Sequence, residues 1–297
     1  PDVLLIIDSP DFTHRVAKKV REAMPDLPIV NYVCPSVWAW KEYRATKMLS
    51  YVDHVLALLP FEPDAMQRLG GPKTTFVGHR LNSDSNIHHV WTRRLEKIDL
   101  IEAVPTIMLL PGSRSGEVTR LLPIFKEAAQ QFVDRNGQTK FLLPTVPKQL
   151  NYIRTEVENW PEVIRPQVSA DKDFKWLAFE HCEMAIAASG TVILELGLAG
   201  VPTVSVYKTD WIIKLIASRI KSWSAALPNL VADYVVVPEY FNETVRANML
   251  LRWMERLSKP TKQRAAMMEG FALVRERLRT DRPSGEIGAD ILLSYIK

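Results

Sequence analysis

Residues suited to binding an anion lie at 111–116, where the sequence reads PGSRSG. They come directly after an apolar run, Ile107–Leu110, and a helical pattern follows them. Glycines allow a backbone to approach a ligand closely, and the first turn of a helix offers unpaired N–H groups at the positive end of its dipole. The guanidinium of Arg114 adds a planar fork of donors that suits phosphate. The segment predicts an anion site at Gly112, Ser113 and Arg114, and an ordinary turn with a solvated arginine is the alternative.

A second strand end of the same kind lies at 184–195, with the sequence MAIAASGTVILE. Small residues again separate an apolar run from a helical pattern, and either Ser189 or Thr191 can cap that helix. Glu195 follows Thr191 by one turn on the same helical face, where a carboxylate can accept hydrogen bonds from a sugar diol. A stabilising acid near the positive end of the helix is the alternative.

These turns need strands and helices to position them, and the chain alternates between the two patterns, as is typical of βαβ units with parallel sheets. In the first part, strands are predicted at Val3–Ile7, Ile29–Val33, His54–Leu59 and Thr75–Val77, and helices at Thr13–Met24 and Phe61–Leu69. In the second part, strands are predicted at Ile107–Leu110, Phe141–Pro144, Val163–Pro166, Met184–Ala187 and Thr203–Tyr207, with a longer helix from Pro123 through Phe132 and a helical tail over about Arg246–Ile296. Ligands of open α/β sheets bind at the carboxyl ends of strands, where both turns lie.

A polar and charged stretch divides the alternating pattern into two runs. We therefore predict two Rossmann-like domains: residues 1–84, then a linker at 85–102, then residues 103–297 with the helical tail. The chain begins PDVLLIID, which is a buried-strand pattern without a preceding turn. From this we expect the first domain to be incomplete at its amino terminus.

The composition is that of a globular protein with a mild basic bias. Of 297 residues, 47% are hydrophobic and 24% are charged, and the net charge is +4 with a pI near 9.0. No apolar run approaches the roughly 20 residues that a membrane-spanning helix needs. Two cysteines, Cys34 and Cys182, form neither a disulfide framework nor a metal-binding spacing, which favours a reducing compartment. The charge is compatible with acidic small molecules, an anionic membrane or nucleic acid.

Seven short motifs occur in order along almost the whole chain. They are PDVLLIIDSPDF (1–12), PSVWAW (35–40), FVGH (76–79), LLPGSR (109–114), ASGTVILE (188–195), GVPTVSVYK (200–208) and LPNLVA (227–232). In this order they resemble the lipid-A-disaccharide synthase family. The resemblance implies an α/β fold with the GT-B glycosyltransferase architecture of two Rossmann-like domains.

The resemblance also implies a reaction. Members transfer 2,3-diacylglucosamine from UDP-2,3-diacylglucosamine to 2,3-diacylglucosamine 1-phosphate (lipid X), with inversion at the anomeric carbon. The products are UDP and the β-1,6-linked disaccharide 1-phosphate of lipid A, in the lipopolysaccharide biosynthesis of Gram-negative bacteria. Neither a metal nor another cofactor is expected. Helix N-termini and a cation must then meet the charge on the departing UDP, and this role falls to Gly112, Ser113, Arg114, Ser189, Gly190 and Thr191.

Four further residues gain roles from the resemblance, three of them with an alternative. Asp11 matches the candidate general base for the acceptor hydroxyl, although an aspartate can equally cap the helix predicted over Thr13–Met24. Glu195 matches the acid that related enzymes use on the ribose hydroxyls. His79 is expected to contact the nucleotide, or else to serve in a hinge or in packing. Asn229 is expected to contact the substrate, or else to form a turn.

Two stretches combine aromatic and basic residues, SVWAWKEYRATKM (36–48) and DWIIKLIASRIKSW (210–223). This mixture at helical spacing suits a membrane surface, and a core helix with solvated lysines is the alternative. With the resemblance, it favours a cytoplasmic protein bound peripherally to the inner membrane. A homodimer is compatible with the resemblance, and nucleic acid is disfavoured as a partner.

Two other functions stay open at this point. One is another UDP-sugar enzyme of the same fold, such as a UDP-N-acetylglucosamine transferase or a 2-epimerase. The motifs PSVWAW and LPNL argue against both of these enzymes. The other is a non-catalytic, truncated remnant that binds UDP-sugar or membrane without turnover.

Overall fold

The computed structural model describes residues 1–96, 104–208 and 221–296. The chain forms two compact units. Among the described residues, the first unit contains Pro1–Ser83 with residues 221–223 and 276–296, and the second contains residues 84–96, 104–208 and 224–275. Each unit has its own parallel β-sheet, so the chain is an α/β protein with two Rossmann-like units.

The sheet of the first unit has four parallel strands in sequence order, which are β1 (Leu4–Ile7), β2 (Ile29–Tyr32), β3 (His54–Ala57) and β4 (Lys73–Phe76). Its helices include α1 (Pro10–Ala23), α2 (Tyr43–Met48) and α3 (Glu62–Arg68). β3 is buried along its whole length, as expected for an inner parallel strand that is covered on both faces. Apolar side chains of α1, α2 and α3, such as Ala17, Met48 and Met66, form the core against this sheet.

The sheet of the second unit has six parallel strands, which are β5 (Thr106–Leu110), β6 (Lys140–Pro144), β7 (Gln167–Ser169), β8 (Met184–Ala188), β9 (Thr203–Tyr207) and β10 (Glu239–Phe241). Their order is β10-β9-β8-β5-β6-β7. From β5 the chain builds outward on one side through β6 and β7, and then returns to the other side of β5 through β8. The boundary between β5 and β8 is therefore the topological switch point, where ligands of such sheets bind.

Helices of the second unit include α4 (Ser85–Glu96), α5 (Ser115–Asn136), α6 (Pro147–Glu158), α7 (Lys172–His181) and α8 (Thr191–Leu198). Further helices follow at Leu227–Ala232, Ala247–Leu257, Lys262–Arg277 and Ser284–Leu293. No helix in the described ranges combines the length and hydrophobicity that crossing a bilayer would require.

Most predicted strands agree with the structure to within two residues, and one is wrong. Val163–Pro166 was expected to be a strand, but residues Glu162–Ile164 form a 3₁₀ turn and the strand is β7. Proline has no N–H for the ladder, which is consistent with a strand that begins after Pro166. The helix expected to begin at Pro123 begins earlier, because α5 already starts at Ser115 and contains the proline. The predicted tail is interrupted, and its three helices are separated near Pro260 and Pro283.

The domain boundaries differ from the predicted ones. Residues 85–96 of the predicted linker form α4, which packs against α7 and α8 within the second unit. The guanidinium of Arg94 on α4 donates to the carbonyl oxygens of Gly200 (2.7 Å) and Cys182 (2.6 Å), which explains why this polar stretch is ordered structure. The last six residues of the predicted linker, 97–102, lie outside the described residues.

The carboxyl-terminal tail also divides differently from the prediction. Residues 276–296 belong to the first unit, where Ile287 and Ile291 pack against Val30, Leu56 and Val77 of its sheet. Helix α4 therefore belongs to the second unit, and the tail helix Ser284–Leu293 belongs to the first, because each helix is buried against that unit. The order of segments along the sequence does not reveal which unit a distant helix joins.

Candidate functional site

A cavity of about 380 Å³ lies at the carboxyl ends of β5 and β8, which is the switch point of the second sheet. Its lining comes from the turns after β5, β6 and β8, and from α7. Both turns that the sequence singled out as ligand sites are among them, and they contribute Gly112, Ser113, Arg114, Ser189, Gly190 and Thr191. The topology thus brings six of the predicted site residues together around one cavity.

The turn between β5 and α5 depends on the glycine at position 112. Gly112 has a φ of +109°, which side-chain-bearing residues rarely adopt. A Cβ atom there would lie 2.5 Å from Oε2 of Glu117. The same Oε2 accepts the N–H groups of Ser113 and Arg114 at 3.3 Å, so the carboxylate fills the space that the glycine leaves open. Glycine therefore allows the acid of α5 to hold the turn.

Arg114 is the N-cap residue of α5 and points a largely exposed guanidinium at the cavity rim. Its Nη1 donates to Oε1 of Glu117 at 2.7 Å, while the arginine side chain remains 80% exposed. The hydrogen bond and the charge of Glu117 raise the pKa of Arg114, so the guanidinium stays charged. The pair presents a fixed, exposed cation beside the first turn of a helix, which is an arrangement suited to an anion.

Gln149 supports this turn from α6, and sequence analysis did not identify it. Its amide Nε2 donates to the carbonyl oxygen of Ser113 at 3.1 Å and to the hydroxyl of Ser115 at 3.2 Å. The residue is almost completely buried, with 2% of its surface exposed. No short motif marks it, because its partners lie more than 30 residues away and meet it only through the sheet topology.

The turn between β8 and α8 is built differently from the prediction. Gly190 occupies the N-cap position, and within the described ranges no side-chain hydrogen bond caps the helix, so the expectation that Ser189 or Thr191 does so is wrong. The amide of Ser189 donates instead to the carbonyl oxygen of Val206 on β9 at 2.8 Å. The first turn of α8 therefore meets the cavity without a capping side chain.

Glu195 lies behind this turn and is paired with a lysine that the sequence analysis did not identify. Nζ of Lys175 on α7 lies 2.5 Å from Oε1 of Glu195. Lys175 lines the cavity, whereas Glu195 does not. Both side chains are mostly shielded from solvent, 31% and 16% exposed respectively. The predicted ribose acid is thus an ion-paired carboxylate rather than a lone acid at the helix dipole.

In the first unit, the DSPDF turn after β1 carries Asp11. Asp8 and Ser9 both have left-handed backbones, with φ of 49° and 45°, a conformation that costs on the order of 1 kcal/mol or more per residue. α1 begins at Pro10 with Ser9 as its N-cap and no side-chain cap, so Asp11 is not the capping residue. The Asp11 side chain is 82% exposed and lies 3.2 Å from the guanidinium of Arg44. Its carboxylate is therefore accessible to a substrate.

His79 is buried in the first unit. Its Nδ1 accepts the N–H of Leu81 at 3.2 Å, and only 8% of the residue is exposed. Burial lowers the pKa of His79 to about 4, with a smaller effect from the charge of Arg80. The imidazole is thus neutral near pH 7 and shapes a local turn. Its predicted contact with the nucleotide stays a prediction.

Asn229 is fully buried in the second unit, and its amide is saturated by its own neighbourhood. Oδ1 accepts the N–H groups of Val236 (2.9 Å) and Val237 (2.7 Å). Nδ2 donates to the carbonyl oxygen of Val237 at 2.9 Å and lies 3.2 Å from both Ser224 Oγ and Glu239 Oε2. This geometry matches the predicted alternative, a turn, and leaves no surface for a substrate contact.

Comparison with known proteins identifies one family. A family model described as lipid-A-disaccharide synthetase matches residues 1–283. Lipid-A-disaccharide synthase from Rhodopseudomonas palustris strain HaA2 is 41% identical over 300 residues, which cover 100% of this chain and 75% of that protein. The protein of the same name from Nitrobacter winogradskyi is 42% identical over 299 residues, which cover 100% of this chain and 74% of that protein.

Solved structures confirm the predicted architecture. MurG from Acinetobacter baumannii superimposes with a TM-score of 0.64 at 13% identity, covering 99% of this chain and 73% of its own. The UDP-GlcNAc 2-epimerase from Neisseria meningitidis, solved with UDP-GlcNAc bound, gives a TM-score of 0.57 at 10% identity, covering 99% of this chain and 76% of its own. At such low identity these likenesses concern the fold, which is the GT-B architecture.

Proposed function

Because the chain belongs to the lipid-A-disaccharide synthase family, we propose that the cavity of its second unit binds the UDP part of the sugar donor. Membership makes the protein a glycosyltransferase of lipid A biosynthesis. The reaction transfers 2,3-diacylglucosamine from its UDP conjugate to 2,3-diacylglucosamine 1-phosphate. Its products are UDP and the β-1,6-linked disaccharide 1-phosphate.

One observation carries the placement of the donor. Two turns that the sequence marks separately as ligand sites, 111–116 and 189–191, line the same cavity at the switch point of the sheet. The cavity combines the N-termini of α5 and α8 with the guanidinium of Arg114. Helix N-termini and arginine are the groups that proteins use to bind phosphates.

The proposed chemistry assigns the charge and the proton to different residues. As the bond between the anomeric carbon and the UDP oxygen breaks, negative charge grows on the diphosphate, and Arg114 with the two helix N-termini stabilises it. The hydroxyl of the acceptor attacks the anomeric carbon from the opposite face, which inverts the configuration. Asp11 takes the proton of that hydroxyl, for which an exposed carboxylate must come within hydrogen-bond reach in the working enzyme.

The remaining predicted site residues divide into two kinds. We assign the ribose hydroxyls of the donor to Glu195, whose Oε2 has no hydrogen-bond partner within the described part of the chain. His79 remains a proposed contact to the nucleotide. The burial and saturation of Asn229 support a structural role, so we propose that it holds the loop from Ser224 to Glu239 rather than the substrate.

Lipid X as the acceptor and the cytoplasmic face of the inner membrane as the place of reaction belong to the same proposal. Support comes from exposed aromatic and basic side chains in the first unit. Tyr43 and Trp223 are each 55% exposed. Nζ of Lys47 lies 4.8 Å from the ring centroid of Tyr43, and the backbone N–H of Lys221 donates to the carbonyl oxygen of Ala39 at 2.9 Å. The described end of the stretch 210–223 therefore lies against the stretch 36–48.

Calorimetric titration with UDP and a UDP-release assay test the proposal together. The chain should bind UDP more tightly than uridine, because the cavity is assigned to a diphosphate. With the longest polypeptide that the reading frame encodes, UDP release from UDP-2,3-diacylglucosamine should require lipid X. UDP binding without any turnover would favour the non-catalytic alternative. Release from UDP-N-acetylglucosamine in place of the acylated donor would favour another UDP-sugar enzyme.

A further inference from the structure

The ion pair between Lys175 and Glu195 raises the question of what the lysine does for the cavity. A carboxylate that receives two hydroxyl groups must be ionised and held in one orientation. Glu195 is only 16% exposed, so water alone solvates its charge poorly. Lys175 supplies the compensating charge at 2.5 Å, through Oε1 alone.

The lysine is itself held in place by its surroundings. Its Nζ lies 4.7 Å from the ring centroid of Trp176 and 5.3 Å from that of Phe179, distances typical of cation–π contacts. The two rings pack edge to face, with centroids 5.4 Å apart. An ammonium fixed by a carboxylate and two aromatic faces loses little further freedom when a ligand binds. Such preorganisation favours affinity.

The cavity wall also includes the cation–acid pair of Arg114 and Glu117, which differs from the pair of Lys175 and Glu195 in exposure and in hydrogen bonding. In that pair the acid also accepts two backbone N–H groups, and the cation stays 80% exposed. In the Lys175 pair the cation lines the cavity and is 31% exposed, and Oε2 of the acid accepts no hydrogen bond within the described part of the chain. Arg114 is therefore suited to bind an anion, whereas Lys175 is suited to orient the carboxylate of Glu195 as a hydrogen-bond acceptor.

We propose that Lys175 is a positioning residue, which holds Oε1 of Glu195 so that Oε2 accepts the hydroxyl groups of the donor's ribose. The inference rests on the proposed function, in which Glu195 binds the ribose. It adds Lys175 as a residue that affects binding of the ribose of the nucleotide, whereas the diphosphate is bound by Arg114 and the two helix N-termini.

A cycle of ligands and variants tests this role. Binding of uridine, UDP and 2′,3′-dideoxy-UDP is measured by calorimetry for the wild-type protein and for Lys175→Met, which keeps length and removes charge. Hydrogen bonds to charged groups contribute about 1.5–3 kcal/mol, so Lys175→Met should weaken UDP binding by about tenfold or more. Binding of 2′,3′-dideoxy-UDP should not change, because this ligand lacks both hydroxyl groups. Lys175→Arg should restore part of the preference for UDP, since a guanidinium can also hold the carboxylate.

Lys172→Met is the matched control, because Lys172 is exposed on the same helix and does not line the cavity. It should leave all three affinities unchanged. Thermal unfolding of each variant separates binding effects from loss of structure, and Lys175→Gln replaces the methionine variant if that one does not fold.

Three outcomes would overturn the inference. Equal losses for UDP and 2′,3′-dideoxy-UDP, with uridine unaffected, would mean that Lys175 contacts the diphosphate. Equal losses for all three ligands with a lower melting temperature would mean that the pair is only structural. Unchanged affinities in Lys175→Met would exclude any role.

The wild-type protein tests the proposed function separately. Failure to bind UDP would contradict the donor site itself. Binding of UDP without preference over 2′,3′-dideoxy-UDP would contradict the role of Glu195.

Discussion

Arg114 is a cation that the protein fixes with one of its own acids, and single-residue exchanges test what that cation does. We expect Arg114→Ala to lower turnover about 10²–10³-fold, the usual loss when one preorganised donor to a developing charge is removed. Arg114→Lys should restore only part of it, because an ammonium lacks the planar fork. Steady-state kinetics with the acylated donor and lipid X provide the measurement.

Arg120→Ala serves as the control for Arg114, because Arg120 is on the same helix and its guanidinium donates to the backbone carbonyl of Gly116 at 2.9 Å. Turnover of Arg114→Ala that equals that of the control would remove Arg114 from the proposed site.

Asp11 offers a test in which the residue's charge changes and its shape does not. Because Ser9 is the N-cap of α1, an exchange at Asp11 leaves the cap of this helix intact. We expect Asp11→Asn to keep UDP affinity and melting temperature close to those of the parent protein. Turnover should fall roughly 10²–10⁴-fold, as for the loss of a general base. Measured turnover at the parental rate would mean that another group takes the proton, and Asp8 would be examined next.

Burial of His79 should make the free energy of unfolding decrease as the pH falls. Its pKa in the folded protein is about 4, below the ordinary 6.5, so the unfolded chain takes up this proton first as the pH falls. The stabilisation is complete above about pH 6.5 and is lost as the pH falls towards 4, by up to about 3 kcal/mol. His79→Asn keeps an acceptor for the N–H of Leu81, and it should flatten this dependence.

Chemical unfolding between pH 4 and 7 measures the effect at His79. Some slope will remain, because burial also lowers the pKa of His14 and of His54. A slope identical to that of the parent would contradict the assignment. Weaker UDP binding by His79→Asn at pH 7, where the imidazole is neutral, would support the proposed contact with the nucleotide.

At the scale of elements, the turn between β5 and α5 depends on close contact between backbone and carboxylate. We expect Gly112→Ala to displace Glu117 and to weaken UDP binding about tenfold or more, since the donors of the turn lose their alignment. Gly137→Ala is the matched control, because Gly137 also has a positive φ of 85° and ends the same helix, but its Cβ would meet open space. Calorimetry on both variants gives the comparison, and equal UDP affinities would show that the clash does not matter.

The elements also show what the sequence could reveal about the site. Glycines and small residues at strand ends predicted both cavity turns, because their chemistry is local. Lys175 and Gln149 gave no such signal, since each acts on a partner at least 20 residues away that only the order of the strands brings close. The sequence also did not locate the helix caps: neither Ser189 nor Thr191 caps α8, and Asp11, for which a cap was the alternative to a general base, does not cap α1. The residue types that favour a cap also occur one or two positions away from it. The backbone angles, and not the residue type, distinguish the capping position from its neighbours.

At the scale of the whole molecule, the division into units follows burial rather than sequence order. The tail helix Ser284–Leu293 returns to the first unit because its isoleucines complete the apolar face of that sheet. The polar segment that looked like a linker is anchored in the second unit through Arg94. Alternating patterns therefore predicted the number and kind of the units, whereas their boundaries depended on contacts between distant parts of the chain.

Aromatic and basic side chains of the stretch 36–48, of which Tyr43 and Lys47 are exposed and Trp40 and Lys41 are half-buried, give the last prediction, which concerns membrane binding. Lys41 and Lys47 each lie 4.8 Å from the ring centroid of a neighbouring aromatic residue, Trp40 and Tyr43 respectively. Basic residues near an anionic surface contribute about 1 kcal/mol each, so Lys41→Glu with Lys47→Glu should weaken binding to anionic vesicles at least roughly 30-fold. The control exchanges Lys140 and Lys262, which are exposed in the second unit, for glutamate. Both double variants change the net charge by the same amount. Co-sedimentation of each variant with the vesicles at low salt therefore distinguishes loss of a local membrane-binding surface from a general effect of net charge. Equal vesicle binding by the two variants would place the membrane surface elsewhere in the protein.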